Sequence, residues 1–104
     1  MNWFCLILAG LLEIGWPLGL KLSQSPSLRL PGLALAAVSM ALSGGLLWVA
    51  QRTISIGTAY AVWTGIGAAG TFLLGILVFG NASNVGRYLG VFLIVLGVVV
   101  LKIA

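Results

Sequence analysis

The sequence predicts an all-α membrane protein of four transmembrane helices, and three observations carry that reading. Of 104 residues, 62% are hydrophobic and 6% charged, with a mean hydropathy of +1.24; a water-soluble domain could not be covered with so little polar material. The apolar residues fall into four runs, each near the ~20 residues that one bilayer crossing needs. Short polar stretches separate them: Ser23-Gln24-Ser25-Pro26-Ser27-Leu28-Arg29, Gln51-Arg52-Thr53-Ile54-Ser55-Ile56-Gly57 and Gly80-Asn81-Ala82-Ser83-Asn84. These are turn compositions. The expected spans, at about 3–22, 30–50, 58–79 and 85–103, form a single transmembrane domain over residues 1–104.

The first span contains the residue that sets the functional question. Glu13 is the only acid in the chain, and it stands mid-way along an apolar run. A carboxylate at bilayer depth costs roughly 2.5–3.5 kcal/mol on insertion scales, which makes an intramembrane acid a functional-site hypothesis by default. At 3.6 residues per turn, Gly10, Glu13, Trp16 or Pro17, and Leu20 share one stripe. Pro17 has no N–H for the carbonyl of Glu13, so a bend is expected just past the acid. Trp3 and Lys21 sit where interfacial anchors belong. The run lacks a basic leader and a cleavage motif, so it reads as a retained helix and not a signal peptide.

In the second span Ser39 and Ser43 lie one turn apart on one face, and Gly44-Gly45 suggests tight packing or a hinge. Trp48 reads as an aromatic-belt residue. The third span places Tyr60, Trp63, Thr64 and Gly67 on one stripe. Its four glycines at 65, 67, 70 and 75 each cost up to about 1 kcal/mol of helix stability, which fits either a hinge or close helix packing. Asn84 is a suitable N-cap for the fourth span, where Gly86 and Gly90 form a GxxxG and Gly97 follows Gly90 by one heptad. That seam suits a dimer contact or an intramolecular one. The sequon at Asn81-Ala82-Ser83 reads as chance, because it lies in a turn pressed against the membrane.

The five basic residues against one acid give a net charge of +4, but they are dispersed, which excludes a nucleic-acid patch. Lys21, Arg29 and Arg87 fall on one side of the expected topology, and Arg52 and Lys102 on the other. The positive-inside rule therefore sets no orientation, and insertion both ways would allow an antiparallel dimer. Cys5 is alone and the chain has no histidine, so neither a disulfide nor a metal centre is expected, and no cofactor. Cys5 itself reads as a small buried hydrophobe.

A buried carboxylate can hold a proton or a cation but not both at full strength, and mutual exclusion at one site is the physical basis of exchange. Candidate hydrogen-bond donors to it are the indoles of Trp16 and Trp63, the hydroxyl of Ser43 and the phenol of Tyr60. The faces of Trp16, Tyr60 and Trp63 suit a cation stripped of water. This is transport chemistry, and no enzymatic activity is expected. A membrane subunit that only stabilises a partner is the contrasting reading; it has no reason to bury an acid beside these donors.

Two stretches, Ala9-Gly10-Leu11-Leu12-Glu13-Ile14-Gly15-Trp16 continuing to Gly19-Leu20-Lys21, and Ile56-Gly57-Thr58-Ala59-Tyr60-Ala61-Val62-Trp63-Thr64-Gly65-Ile66-Gly67, resemble the small multidrug resistance family of transporters, and the match spans the whole chain. The resemblance implies an antiparallel homodimer in the cell inner membrane with dual topology, exporting a small organic cation against protons by alternating access. It further implies that Glu13 carries proton and substrate in turn, that Tyr60 and Trp63 line the site, and that Gly90 and Gly97 lie on the dimer seam; pairing with a paralogue is the alternative assembly. Trp16 and Ser43 resemble the guanidinium-exporter branch, in which a planar cation with paired N–H donors would engage the carboxylate bidentately against an aromatic ring. Pro17 stands where that branch usually has Ala, and Asn81 where many members have Glu. These departures keep a quaternary-ammonium or other hydrophobic cation as the alternative substrate.

Overall fold

The computed structural model describes residues 2–104. Five α-helices make four membrane-length elements: α1 (Asn2–Glu13) and α2 (Gly15–Leu22) together form the first, followed by α3 (Arg29–Ala50), α4 (Ile56–Phe79) and α5 (Val85–Ile103). All four are long and apolar enough to cross a bilayer. The 22 residues of α3 rise about 33 Å at 1.5 Å each, matching a hydrocarbon core of ~30 Å. A 3-10 turn, Pro26–Leu28, leads into α3.

The break between α1 and α2 falls directly after the acid. Ile14 N–H donates to the Leu11 carbonyl at 3.2 Å, a tightened turn, and the regular ladder resumes when Leu18 N–H reaches the Ile14 carbonyl at 3.3 Å. Between them Pro17 offers no N–H, so the Glu13 carbonyl lacks its intrahelical donor. The helix is thus interrupted at Ile14, just past the acid, where a bend was expected. No such break interrupts α4, which is one continuous helix through Gly65, Gly67, Gly70 and Gly75.

Those glycines serve close packing instead. A Cβ at Gly67 would lie 2.6 Å from Glu13 Cγ, one at Gly65 2.8 Å from a Val98 methyl, and one at Gly70 would collide with Ile14. Gly10 packs on Ile66 and Gly15 on Ser39 in the same way. The tightest crossing is α2 on α3, where Gly19 faces the backbone of Gly32 and Ala36 and Gly32 faces the Gly19 carbonyl. The expectation of tight packing or a hinge at Gly44-Gly45 does not hold: α3 is continuous there, and nothing lies within 4 Å of either added Cβ. Both positions fall on the outer side of α3, while Ser39 and Ser43 of the same helix are buried.

The core is small: Leu6, Ala50, Ile54, Ala59 and Val62, with Trp3, Cys5, Leu47, Trp63, Ile66 and Val98 against it. Helix α5 leans on α4 and buries none of its residues, and Gly90 and Gly97 have nothing within 4 Å. An intramolecular glycine seam is thereby ruled out for this helix. The Cα trace measures 44 × 34 × 17 Å, so the chain is a flattened slab with wide apolar faces. Asn84 caps α5 as expected, its side-chain oxygen accepting from Arg87 N–H at 2.9 Å.

The two ends of the slab are distinct. At one, Asn2 hydrogen-bonds Thr53, the Lys102 ammonium lies 5.2 Å from the Trp3 ring centre, and Arg52 sits 4.7 Å from that of Trp48. At the other, Lys21 lies 6.0 Å from the centre of Phe79, and Arg87 donates to the Ala82 carbonyl. Basic groups thus stand at both ends.

Candidate functional site

Glu13 occupies the last turn of α1 and leans on α4, where Gly67 is the only residue type that lets a carboxylate stem come so close. Around it is a cavity of about 260 Å³ lined by Glu13, Trp16, Pro17, Thr64, Gly67, Ala68 and Thr71. The volume exceeds the ~30 Å³ share of one water many times over, so it is no packing void. The α4 contribution is one stripe, Thr64, Gly67, Ala68 and Thr71, at the i, i+3, i+4, i+7 spacing of a single helix face. Glu13 Oε1 and Trp16 Nε1 are both buried and have no hydrogen-bond partner among the described residues. The indole lies near enough to act on the carboxyl, but the expected Trp16–Glu13 hydrogen bond is not formed. A buried polar atom without a partner carries a cost of about 1–3 kcal/mol, which a ligand able to donate to the carboxylate would relieve.

Ser43, Trp63 and Tyr60 form a second, adjoining cluster. The Trp63 indole donates to Ser43 Oγ at 2.8 Å, and that hydroxyl donates in turn to the Ala9 carbonyl at 2.6 Å. Ala9 lies one turn before Glu13, so the bridge fixes α3 and α4 against the segment of α1 that presents the acid. Tyr60 stacks on the same indole, with ring centres 5.5 Å apart and planes tilted by 54°, and remains 56% exposed. The two clusters meet at Thr64, whose hydroxyl donates to the Tyr60 carbonyl at 2.8 Å. Within one chain, then, Trp16 shares the carboxylate's cavity, whereas Ser43, Tyr60 and Trp63 stand beside it.

Replacing Ser43 with Ala leaves the Trp63 N–H without its acceptor and the Ala9 carbonyl without its donor. The expected result is a loss of about 1–3 kcal/mol of stability, read as a lowered Tm in detergent. Unchanged melting would mean the bridge contributes nothing.

Reading the residues alone missed Thr71, Ala68 and Lys21. Thr71 is detectable in principle, because it continues the Thr64–Gly67 stripe by one turn; Lys21 reads from the sequence only as an interfacial anchor. A second open cavity, of about 220 Å³, is lined by Pro17, Leu18, Lys21, Thr71, Leu74, Gly75, Phe79 and Asn81. It shares Pro17 and Thr71 with the first, so the two cavities adjoin, and the second lies toward the Lys21 end of the slab.

Comparison with known proteins agrees with this geometry. The family model described as Small Multidrug Resistance protein matches residues 1–94. A protein named guanidinium exporter from Yersinia pseudotuberculosis is 46% identical over 104 residues, covering 100% of this chain and 99% of its own length. Proteins of the same name from Proteus vulgaris and Escherichia coli are 44% and 43% identical, over 100% of this chain and 99% and 98% of theirs. With a family match over nearly its whole length and four membrane-length helices that carry a single acid, the chain belongs to the small multidrug resistance family.

Proposed function

We propose that this protein exports guanidinium or small guanidinyl cations in exchange for protons, by alternating access. The observation that carries the reading is the Glu13 carboxyl, with one oxygen buried and unpartnered in a cavity. Such a group binds either a hydrogen ion or an organic cation, and a planar cation with several N–H donors satisfies both of its oxygens at once. Trp16 supplies an aromatic face in the same cavity. Ser43, Tyr60 and Trp63 act as the adjoining wall, holding Glu13 in place through the Ala9 carbonyl. The guanidinium exporters at 43–46% identity support this choice of cation.

The working unit in this proposal is an antiparallel homodimer in the inner membrane. The cavity at Glu13 is open to one side in a single chain, and a second copy closes that side. Gly90 and Gly97, facing open space on a helix with no buried residue, supply the small-residue seam that helix association in lipid uses. Near-even basic charge at both ends permits the two orientations.

Purified protein in proteoliposomes tests the function. Guanidinium uptake driven by an outward proton gradient, with matching proton efflux, is the expected result. Exchange of a bulky tetraalkylammonium only would replace guanidinium with the broader substrate class, and cation movement without proton flux would remove the exchange mechanism.

A further inference from the structure

We infer that the Thr71 hydroxyl is a specificity-determining contact, which selects cations carrying N–H donors over peralkylated cations of similar size; the inference rests on the cation-export reading above. Thr71 lines both cavities, one turn beyond the Gly67 that touches Glu13, so its side chain belongs to the wall of the cavity that holds the carboxylate. Its hydroxyl is free. Thr64, on the same face, spends its proton on the Tyr60 carbonyl, and Ser43 is bonded on both sides. Thr71 makes no hydrogen bond to another described residue.

Pro17 lines both cavities as well, but it has no N–H or hydroxyl to offer. The side-chain acceptors at this point are the Glu13 carboxylate and the Thr71 oxygen. Guanidinium carries N–H groups in several directions and can use both. Tetramethylammonium carries none; it can use the charge and the aromatic face but gains nothing from a hydroxyl. A hydrogen bond from a charged donor contributes about 1.5–3 kcal/mol, so one such bond sets a preference of about tenfold or more.

The test measures binding of guanidinium and of tetramethylammonium to the purified full-length protein at one pH, and compares the ratio of the two affinities among variants. Thr71→Val keeps the shape and removes the hydroxyl, Thr71→Ala removes it without any risk of overfilling, and Thr71→Ser keeps it. Expected is a fall of about tenfold in the guanidinium-to-tetramethylammonium ratio for Val and Ala, with Ser close to wild type. The inference is overturned if the ratio stays within twofold of wild type in Val and Ala. Equal weakening of both cations, or a Ser variant that behaves like Val, overturns it too, since each marks a merely structural role. Wild-type protein that binds tetramethylammonium but no guanidinium is a different outcome: it defeats the guanidinium reading itself, and this inference with it.

Discussion

Glu13→Gln is expected to abolish proton-coupled guanidinium exchange and to flatten the pH dependence of guanidinium binding, while leaving the protein folded. The magnitude follows from what the cation loses. Two charge-assisted hydrogen bonds at about 1.5–3 kcal/mol each amount to about 3–6 kcal/mol, or 10²- to 10⁴-fold in Kd. An amide also cannot exchange a proton in the accessible range, so the competitor disappears together with the ligand. In wild type the two compete for one group. Raising the pH removes the competing proton, and guanidinium binding tightens by up to tenfold per pH unit until the empty site is deprotonated, after which it levels off. The variant shows the same weak binding at every pH. Stability supplies the control: glutamine is cheaper to hold in lipid than an ionised carboxylate, so Tm holds or rises. Full exchange in the variant, or a pH slope that survives it, would place the coupling elsewhere.

The fold was largely legible because lipid imposes it. Every backbone polar group in the hydrocarbon region must be satisfied within its own segment, so four apolar runs of sufficient length could only be helices, and Pro17 could only interrupt the first of them. Glu13 was legible for the same reason: one charge against a wholly apolar background stands out without any spatial information. What could not be read was which helix faces which. Gly44-Gly45 and Gly67 look alike in a sequence, yet the first pair meets open space and the second holds the stem of the acid. Only the three-dimensional crossing decides. Likewise Ser43, Tyr60 and Trp63 were expected around the carboxylate; within one chain Trp63 bonds Ser43 and Ser43 bonds Ala9, while Tyr60 rests on the Trp63 ring, a result of α3 and α4 meeting α1 one turn before Glu13. Thr71 was obscured because a hydroxyl in an apolar helix usually turns back on its own backbone, as Thr64 does and Thr71 does not.

The largest expected effect on stability belongs to Gly19. Here α2 and α3 touch backbone to backbone: a Cβ at Gly19 would lie 2.6 Å from the Ala36 nitrogen and 3.0 Å from its Cα, and one at Gly32 would lie 2.6 Å from the Gly19 carbonyl oxygen. A flexible side chain could swing away from such an intruder, but backbone cannot, so the two helices must separate. Overfilling a packed interface typically costs 1–3 kcal/mol; with no side chain to yield, Gly19→Ala should fall at about the upper end, and Gly19→Leu beyond it. Gly44→Ala is the matched comparison, on α3 and facing open space, where the exchange should be neutral or slightly stabilising because alanine is the better helix former by about 1 kcal/mol. The measurement is Tm in detergent, and the expected order is Gly44→Ala at or above wild type, Gly19→Ala well below, Gly19→Leu lower still or unfolded. The functional consequence has the same origin. Separating α2 from α3 shifts the segment that carries Pro17 and Lys21, and with it the opening beyond Glu13, so guanidinium exchange should fall in Gly19→Ala even at temperatures where the protein remains folded. Equal melting of Gly19→Ala and Gly44→Ala would mean that α2 and α3 do not cross at this distance in the membrane.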